Sequence, residues 1–561
     1  MRRSFESTGT AGSPGAAPEY AGAAANRATP PIDPVAEAAR TRFGVEYLFP
    51  YQRLVVANVL EAAGASRAPG APPGAPGAPP PDDSADIRSR QLVILPTGSG
   101  KSLCFQLPAV LLPGVTVVVY PLLSLIADQK RRLEQQGIAC VTLTGHGGGH
   151  QGGGGETAQA AGENTAPGDA GPPRLFLTNP ESLRTRRAQK LLGGREVSHL
   201  VIDEAHCVAE WGETFRPAYL ELGDAVKWLT PRVVTGFTAT ASPDILRRID
   251  EHLFEGDGYH LVRGNPDRAN IRYAVAPVAS RSAALRVLLD RSSDDATNLR
   301  PAVVFCRTRG ICERTALELR RALDDSRIRF YHAGLSRPEK KAVEEWFLDS
   351  RDGVLVATCA YGMGVDKKDI RTVIHRNLPP TVESYLQESG RAGRDGNPSR
   401  AIVLASPREM VGPTGTAGTR MRAITPGPSA AAVSRPGPLT RYLRGDRCRR
   451  QVLVEALGAD LEVCPGCDVC DGVARAASPV AEAIVSWLRR RRRRYTPGQA
   501  AAVLAGTARM APVPWHPRRE PVFGLLADWR TEEIEEALDE LSAAGRLGVI
   551  RGGPWRGRLS A

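Results

Sequence analysis

The chain has 561 residues, 42% hydrophobic and 24% charged, a composition typical of globular proteins with several domains. It contains no apolar run of about 18 residues, which argues against a membrane-spanning helix, and no apolar secretory core at its N-terminus, so a cytoplasmic protein is expected. Six of the net +12 charges lie in Arg489 to Arg494. This run indicates a polyanion-binding surface, and a solvated arginine face is the alternative.

Low-complexity segments divide the chain into candidate domains. Residues 1–32 are expected to form a disordered tail, and residues 63–85 and 145–173 are expected to form flexible insertions, because they are too poor in large apolar side chains to fold. A Pro/Gly-rich linker is expected at 411–438.

Short apolar, β-branched runs alternate with helical patterns up to residue 410. The runs lie at 92–95, 115–120, 175–178, 199–203 and 232–237, and then at 302–306, 327–332, 353–359, 372–375 and 401–405. This alternation predicts parallel sheets covered by helices. We expect an α/β fold with two tandem parallel-sheet domains, residues 33–262 and 263–410, and a cleft between them.

The first site motif is LPTGSGKS at 95–102. Gly98 and Gly100 allow backbone N–H groups to approach phosphate, Lys101 supplies positive charge, and the Ser102 hydroxyl suits magnesium. Leu95 occupies the first glycine of the strict pattern, so a chance match is the alternative.

Two acidic residues strengthen the nucleotide interpretation. Asp203 and Glu204 follow the run HLVI, which places them at the carboxyl end of a strand, where α/β sheets bind ligands. Asp203 could hold magnesium and Glu204 could orient the attacking water. A surface acidic pair is the alternative.

Basic residues of the second domain complete the predicted site. QESGRAGRDG at 387–396 contains Arg391 and Arg394, which are three residues apart and would share one face of a helix. Facing the cleft, they could reach the γ-phosphate of a nucleotide held by the first domain.

Four cysteines cluster near the C-terminus, namely Cys448, Cys464, Cys467 and Cys470. Their density fits a tetrahedral structural zinc site, with Cys448 on a helix and the others on a turn. A disulfide and an iron–sulfur cluster are the alternatives. We expect a zinc-binding module at 439–475, followed by helices and a closing hairpin at 476–561.

Taken in order, these motifs resemble the RecQ family of superfamily 2 DNA helicases. The resemblance also rests on segments beyond the predicted site, which are FGVEYLFPYQ (43–52), YPLLSLIADQ (120–129), TNPESL (178–183), DEAHCVAEWGETFRP (203–217), FTATA (237–241), VVFCRTR (303–309), YHAGL (331–335) and VATCAYGMGVDKKDIRTVIH (356–375). It implies two RecA-like domains, a small α-helical zinc module and a winged-helix domain, without the family's additional C-terminal helicase-and-RNase-D-like domain.

The resemblance also implies residue roles. For nucleotide binding it adds Gln52, Thr97, Ser99, Gly364 and Asp366, and for catalysis it adds His206 and Gln387. For DNA it implies Ser124, the aromatic-rich loop with Trp211, Phe215 and Arg216, and the winged-helix residues Arg489, Arg490 and Arg491. Bases stack on aromatic rings with little sequence preference, although Trp211 and Phe215 could instead be core residues.

Two departures from the family pattern concern specificity. Val45 and Phe49 replace an expected aromatic residue and an expected arginine, so adenine selectivity would depend on Gln52. Glu213 and Thr214 replace His-Asp, and a carboxylate there would repel phosphates. DNA-to-ATP coupling is therefore expected to be weaker or differently tuned.

The implied function is an ATP-dependent 3′-to-5′ DNA helicase in recombination, repair or fork processing, with ATP, magnesium and zinc as cofactors. Its expected partners are single-stranded and duplex DNA and a single-strand-binding or other repair protein, in the nucleoid. Two alternatives stay open, an RNA helicase with the same motor and a zinc/winged-helix DNA-binding protein with weak ATPase activity.

Overall fold

The structure is a computed structural model that describes residues 33–64, 87–96, 98–144, 173–211, 216–291, 299–361, 367–411, 437–507 and 517–561. The expected tail and most of the two expected insertions and the linker lie outside these ranges. No helix in the described ranges is long and apolar enough to cross a membrane.

The first domain is a seven-stranded parallel sheet covered by helices. Its strands are β1 (Arg90–Ile94), β2 (Val115–Val119), β3 (Cys140–Leu143), β4 (Leu175–Thr178), β5 (Val197–Asp203), β6 (Val233–Thr238) and β7 (His260–Arg263). Their spatial order is β3-β4-β2-β5-β6-β1-β7. Its helices are α1 (Pro34–Phe43), α2 (Pro50–Ala62), α3 (Lys101–Leu111), α4 (Leu123–Gln135), α5 (Pro180–Leu183), α6 (Arg186–Leu192), α7 (His206–Trp211), α8 (Leu222–Leu229) and α9 (Pro243–Leu253).

The second domain repeats this plan with a six-stranded parallel sheet. Its strands are β8 (Ile271–Pro277), β9 (Ala302–Phe305), β10 (Ile328–Tyr331), β11 (Val354–Ala357), β12 (Thr372–His375) and β13 (Ser399–Ala405), in the spatial order β10-β11-β9-β12-β13-β8. Its helices are α10 (Arg281–Leu289), α11 (Arg309–Leu323), α12 (Arg337–Asp349), α13 (Val382–Ser389) and α14 (Pro407–Val411). The predicted pair of parallel-sheet domains is confirmed.

The ten predicted strands are all present, and three further strands were not predicted. β3 and β7 lie at the two edges of the first sheet and are partly exposed, so they lack a continuous apolar run. β8 is an edge strand whose buried and less buried residues alternate. Edge strands need fewer apolar residues than central ones, which explains why these three strands do not appear as apolar runs in the sequence.

The C-terminal part comprises a cysteine module and a helical domain. The module contains α15 (Pro438–Arg444) and α16 (Arg449–Ala456), and the domain contains α17 (Pro479–Arg490), α18 (Pro497–Leu504) and α19 (Thr531–Ala543). A short antiparallel hairpin, β14 (Gly548–Val549) with β15 (Leu559–Ser560), follows them. Three helices followed by a hairpin agree with the predicted winged-helix arrangement.

Acidic residues of α19 attach this helical domain to the second parallel-sheet domain. Arg281 Nη1 donates to Glu540 Oε1 of α19 at 2.8 Å, and Arg281 Nη2 donates to Glu409 Oε2 of α14, within its own domain, at 2.7 Å. Arg286 donates to both carboxylate oxygens of Glu533 at 2.9 and 3.1 Å. Because Arg281 is only 6% exposed, the ion pairs at this interface are largely shielded from solvent.

Candidate functional site

The predicted phosphate loop connects β1 to α3. Gly98 and Gly100 have φ values of 85° and 78°, in the left-handed region that glycine favours, and α3 begins at Lys101. The start of α3 therefore places backbone N–H groups beside the Lys101 ammonium, an arrangement suited to anions. Ser102 lies in the first turn of α3, and Thr97 lies outside the described residues.

The entry segment packs directly on this loop. Gln52 is buried; its Nε2 donates to the Ser99 carbonyl at 2.9 Å and its Oε1 accepts from the Phe49 N–H at 3.0 Å. A Cβ added to Gly100 would lie 2.5 Å from Gln52 Nε2, so this position requires glycine. The Tyr51 hydroxyl also donates to the Ser99 carbonyl, at 3.1 Å, a contact that the sequence did not reveal.

The acidic pair lies at the carboxyl end of β5, as predicted. Lys101 Nζ is 3.8 Å from Glu204 Oε1, and His206 Nδ1 is 3.4 Å from Glu204 Oε2. His206 Nδ1 also lies 3.0 Å from the Thr238 hydroxyl at the end of β6. Glu204 has a φ of 52°, an unusual value for a non-glycine residue, and such backbone strain often occurs at functional sites.

The two carboxyl groups have different protonation tendencies. Burial, together with the neighbouring Glu204 carboxylate, raises the pKa of Asp203 to about 7. Burial would also raise the pKa of Glu204, but the charges of Lys101 and His206 and of two arginines in the second domain lower it below its ordinary value. Glu204 is therefore an ionised carboxylate surrounded by cationic groups.

These two arginines are Arg391 and Arg394. The prediction that they share a helix face was wrong, because α13 ends at Ser389 and both lie in the turn that follows it. Burial and the charge of Arg394 lower the pKa of Arg391 to about 10. Gln387, the other predicted residue of this segment, is half-buried in α13.

Contacts that the sequence did not reveal support the turn that carries Arg391 and Arg394, called the arginine turn below. Arg268 Nη2 donates to the Gly393 carbonyl at 2.7 Å, and Asn270 Nδ2 donates to the same oxygen at 2.8 Å. A Cβ added to Gly393, whose φ is 54°, would lie 2.4 Å from Ser399 Oγ and 2.5 Å from Asn270 Nδ2. Arg268 and Asn270 precede the turn by more than a hundred residues, so only the folded chain brings them to it.

Buried charged atoms from both parallel-sheet domains face this junction. Within the described part of the chain, Lys101 Nζ, Glu204 Oε2 and Arg391 Nε are buried and have no hydrogen-bond partner. Buried polar atoms normally have partners. This set therefore suggests a ligand that carries both negative charge and hydrogen-bond donors, such as a hydrated nucleotide phosphate.

The predicted DNA-contacting loop is only partly described. Trp211 is the last residue of α7, its side chain is outside the description, and Phe215 and its neighbours Glu213 and Thr214 are outside the described ranges. Arg216 donates to both oxygens of Glu181 at 2.8 and 2.7 Å. Ser124 is exposed in the first turn of α4. Gly364 and Asp366 also lie outside the described ranges.

The arginine run of the helical domain divides into two environments. Arg489 and Arg490 are exposed at the end of α17. Arg491 Nε donates to Glu520 Oε2 at 3.1 Å, and this buried carboxylate also accepts hydrogen bonds from Trp487 and Tyr495 at 2.9 and 2.8 Å. Arg489 and Arg490 are thus free to meet phosphates, whereas Arg491 stabilises the core of its own domain.

The four predicted metal ligands converge. The sulfur atoms of Cys448, Cys464, Cys467 and Cys470 all lie within 4.8 Å of one another, and those of Cys448 and Cys467 are 4.0 Å apart. Ligands at about 2.3 Å around one tetrahedral ion are about 3.8 Å apart. The cysteines are free, and the set fits a single ion better than a larger cluster. Cys448 immediately precedes α16 rather than lying on a helix.

Comparison with known proteins establishes the family. A sequence model described as DEAD/DEAH box helicase matches residues 84–249, and one described as helicase conserved C-terminal domain matches 281–396. The ATP-dependent DNA helicase RecQ of Pasteurella multocida is 30% identical over 470 residues, which cover 82% of this chain and 71% of that protein. The chain belongs to the RecQ family.

The similarity to other RecQ-family members covers different shares of their length. The RecQ-like DNA helicase blm-1 of Caenorhabditis elegans is 35% identical over 404 residues, or 68% of this chain. These residues span only 38% of that protein, and the match to RecQ of Bacillus subtilis spans 52% of that protein. The chain thus corresponds to about half, or less, of the length of these relatives.

The solved structure of the DEAD-box helicase Mss116, bound to ssRNA and UDP-BeF, has the same fold. Its TM-score is 0.52 at 15% identity, and the match covers 84% of this chain and 88% of that one. At this identity the likeness concerns the fold alone, the pair of RecA-like domains.

Proposed function

We propose that this RecQ-family protein is an ATP-dependent DNA helicase that translocates 3′ to 5′ on single-stranded DNA. The observation that carries the proposal is the meeting of Lys101 and Glu204 of the first domain with Arg391 of the second, all with buried atoms that lack hydrogen-bond partners within the described ranges. A nucleotide bound at this junction would contact both RecA-like domains, so that its hydrolysis would change how they meet.

Each residue near the nucleotide has a proposed task. Lys101 and the start of α3 bind the β- and γ-phosphates, and Ser102 and Asp203 hold magnesium. Magnesium, when bound, neutralises charge on the phosphate oxygens. Glu204, kept ionised by its cationic neighbours, accepts a hydrogen bond from water and orients it for attack on the γ-phosphorus, with ADP as the leaving group.

The second domain supplies positive charge that stabilises the negative charge developing late in the reaction. Arg391 and Arg394 stabilise the γ-phosphoryl group as its bond to ADP breaks. After phosphate leaves, Arg391 and Arg394 lose its negative charge, so the repulsion between their guanidinium groups is less well compensated. The cleft then opens, and each cycle of closing and opening moves the DNA strand through the protein.

DNA coupling is proposed to run through α7. This helix begins at His206, two residues after Glu204, and ends at Trp211. Bases that stack on the aromatic loop after α7 would shift the helix, and with it the His206–Glu204 contact of 3.4 Å. The aromatic loop would in this way report the presence of a polynucleotide to the ATP site.

The C-terminal part is proposed to bind the duplex ahead of the motor. Zinc in the four-cysteine site would hold α16 and the turn with Cys464, Cys467 and Cys470 together. The exposed Arg489 and Arg490 would contact duplex phosphates without reading sequence. A role on replicating or damaged DNA would bring the protein together with single-strand-binding or other repair proteins.

Comparing DNA with RNA tests the substrate. We expect ATP hydrolysis to be stimulated more strongly by single-stranded DNA than by single-stranded RNA of the same length and base order. Stronger stimulation by RNA would indicate an RNA helicase, and no stimulation by either would indicate a DNA-binding protein with weak ATPase activity.

A further inference from the structure

Buried hydrogen bonds and ring contacts link α13, which leads into the arginine turn, with the helices that carry the four-cysteine cluster. At its centre, the hydroxyl groups of Tyr385 and Tyr442 lie 2.6 Å apart. Both side chains are fully buried, and their ring centroids are 5.1 Å apart. Tyr385 belongs to α13 of the second RecA-like domain and Tyr442 belongs to α15 of the cysteine module.

On the motor side, Tyr385 lies on the helix that leads into the arginine turn. Glu388, one turn further along α13, has its Oε2 2.9 Å from Nε2 of the fully buried His375 at the end of β12. The Arg391 N–H donates to the Glu388 carbonyl at 3.2 Å. The His375 ring packs on Tyr385 with a centroid distance of 4.8 Å, so a shift of α13 moves Arg391.

On the other side, Tyr442 is connected to two of the cysteines. Arg449, the neighbour of Cys448, donates to the Tyr442 carbonyl and makes a bidentate pair with Asp468 at 2.8 and 3.0 Å. Asp468 directly follows Cys467, and its carboxylate also accepts the Val275 N–H of β8 at 3.0 Å. Arg449 and Asp468 are 1% and 4% exposed. Water therefore cannot replace their hydrogen bonds when the cysteines move.

We propose that the Tyr385–Tyr442 hydrogen bond is a positioning contact through which the cysteine module fixes the arginine turn at the nucleotide. The inference rests on the proposed ATPase function, because only there does the place of Arg391 matter. Two phenylalanines would fill the same apolar space without burying two hydroxyl groups, whose desolvation is unfavourable unless they bond to each other. The paired hydroxyls instead define one distance and one orientation between α13 and α15.

The test removes one oxygen at a time and leaves the rings in place. Tyr385→Phe, Tyr442→Phe and the double variant are compared with wild type for kcat and KM of DNA-stimulated ATP hydrolysis. We expect each single variant to lower kcat roughly two- to tenfold, the worth of one buried hydrogen bond, with KM unchanged. Because the two hydroxyls form one bond, the double variant should lose no more than the single variants.

A matched control is available in the helical domain. Tyr495 is also buried, and its hydroxyl donates to Glu520 Oε1 at 2.8 Å. Tyr495→Phe removes a comparable hydrogen bond far from the arginine turn, so its kcat should equal that of wild type. An equal loss of kcat in Tyr495→Phe, or wild-type kcat in Tyr385→Phe and Tyr442→Phe with only a lower melting temperature, would overturn the proposal.

A second readout does not depend on ATP hydrolysis. The proteins are loaded with Zn²⁺, and the release of the metal to a chromogenic chelator is timed. Tyr385→Phe, although it changes the motor side, should release Zn²⁺ several-fold faster than wild type, and Tyr495→Phe should not. If wild type hydrolyses no ATP but the Zn²⁺ release rates differ as expected, the proposed function fails while the coupling through the Tyr385–Tyr442 hydrogen bond stands. Equal release rates in wild type and Tyr385→Phe would contradict that coupling.

Discussion

Replacing Lys101 by alanine removes the cation at the centre of the proposed ATP site. Lys101 Nζ is 3.8 Å from Glu204 Oε1, and both side chains are mostly buried. At this distance and an effective dielectric constant of about 20, one such charge pair is worth about 4 kcal/mol. A phosphate oxygen bound in place of the carboxylate would interact about as strongly, so the loss should slow hydrolysis about a thousandfold.

Lys130→Ala is the matched control for this change. Lys130 Nζ lies 3.6 Å from Glu134 Oε1, a similar separation, but both side chains are exposed. Solvent screens such a pair, so its loss should leave hydrolysis unchanged. The assay is DNA-stimulated phosphate release at saturating ATP, with single-stranded DNA binding measured by fluorescence anisotropy. DNA binding should survive in Lys101→Ala; turnover above one tenth of wild type would show that the site is elsewhere.

Three further changes test separate parts of the mechanism. Gly393→Ala should lower kcat about tenfold or more because a Cβ has no space there. The control Gly310→Ala should have no effect, because a Cβ at that position meets no atom within 4 Å. Equal kcat values in the two variants would contradict the role of the arginine turn. Arg281→Ala should destabilise the protein by about 3 kcal/mol in thermal unfolding because two carboxylates lose their buried partner, and Arg247→Ala, at an exposed ion pair, should not. Trp211→Ala should reduce DNA stimulation of the ATPase more than its basal rate, and an equal reduction of both would refute the sensor role.

Much of the architecture could be predicted because it depends on local patterns. Buried parallel strands are predominantly apolar and β-branched, so β2 (VTVVV) and β4 (LFLT) are evident in the sequence. The phosphate loop and the acidic pair follow such strands directly, and their chemistry depends on neighbouring residues. The four cysteines are likewise close enough in sequence for their convergence to be expected.

The arginine turn could not be predicted correctly, because its shape depends on distant residues. The spacing of Arg391 and Arg394 is compatible with a helix, but α13 ends at Ser389, and Arg268 and Asn270 bind the Gly393 carbonyl of the turn that follows. Neither residue belongs to a recognisable local pattern. The Tyr385–Tyr442 bond is equally invisible, since an isolated tyrosine in a helix gives no indication of its partner.

The acidic helix α19 packs against the second RecA-like domain through its carboxylates. In a helix-turn-helix arrangement the corresponding helix enters the major groove. Here Glu533, Glu536 and Glu540 of α19 bind arginines of the second RecA-like domain, and a carboxylate-rich surface repels phosphates. The proposed DNA contact of this domain would therefore use other surfaces, including the exposed Arg489 and Arg490.

Strand displacement on tailed duplexes tests the ATP-driven motor most directly. A labelled duplex carrying a single-stranded 3′ tail, a matched duplex with a 5′ tail and a blunt duplex are incubated with the protein and ATP. We predict separation of the 3′-tailed duplex with ATP, little separation of the other two, and none in the Lys101→Ala variant. Failure to separate any duplex with ATP, or equal separation with and without ATP, would contradict a nucleotide-driven motor built from the two RecA-like domains.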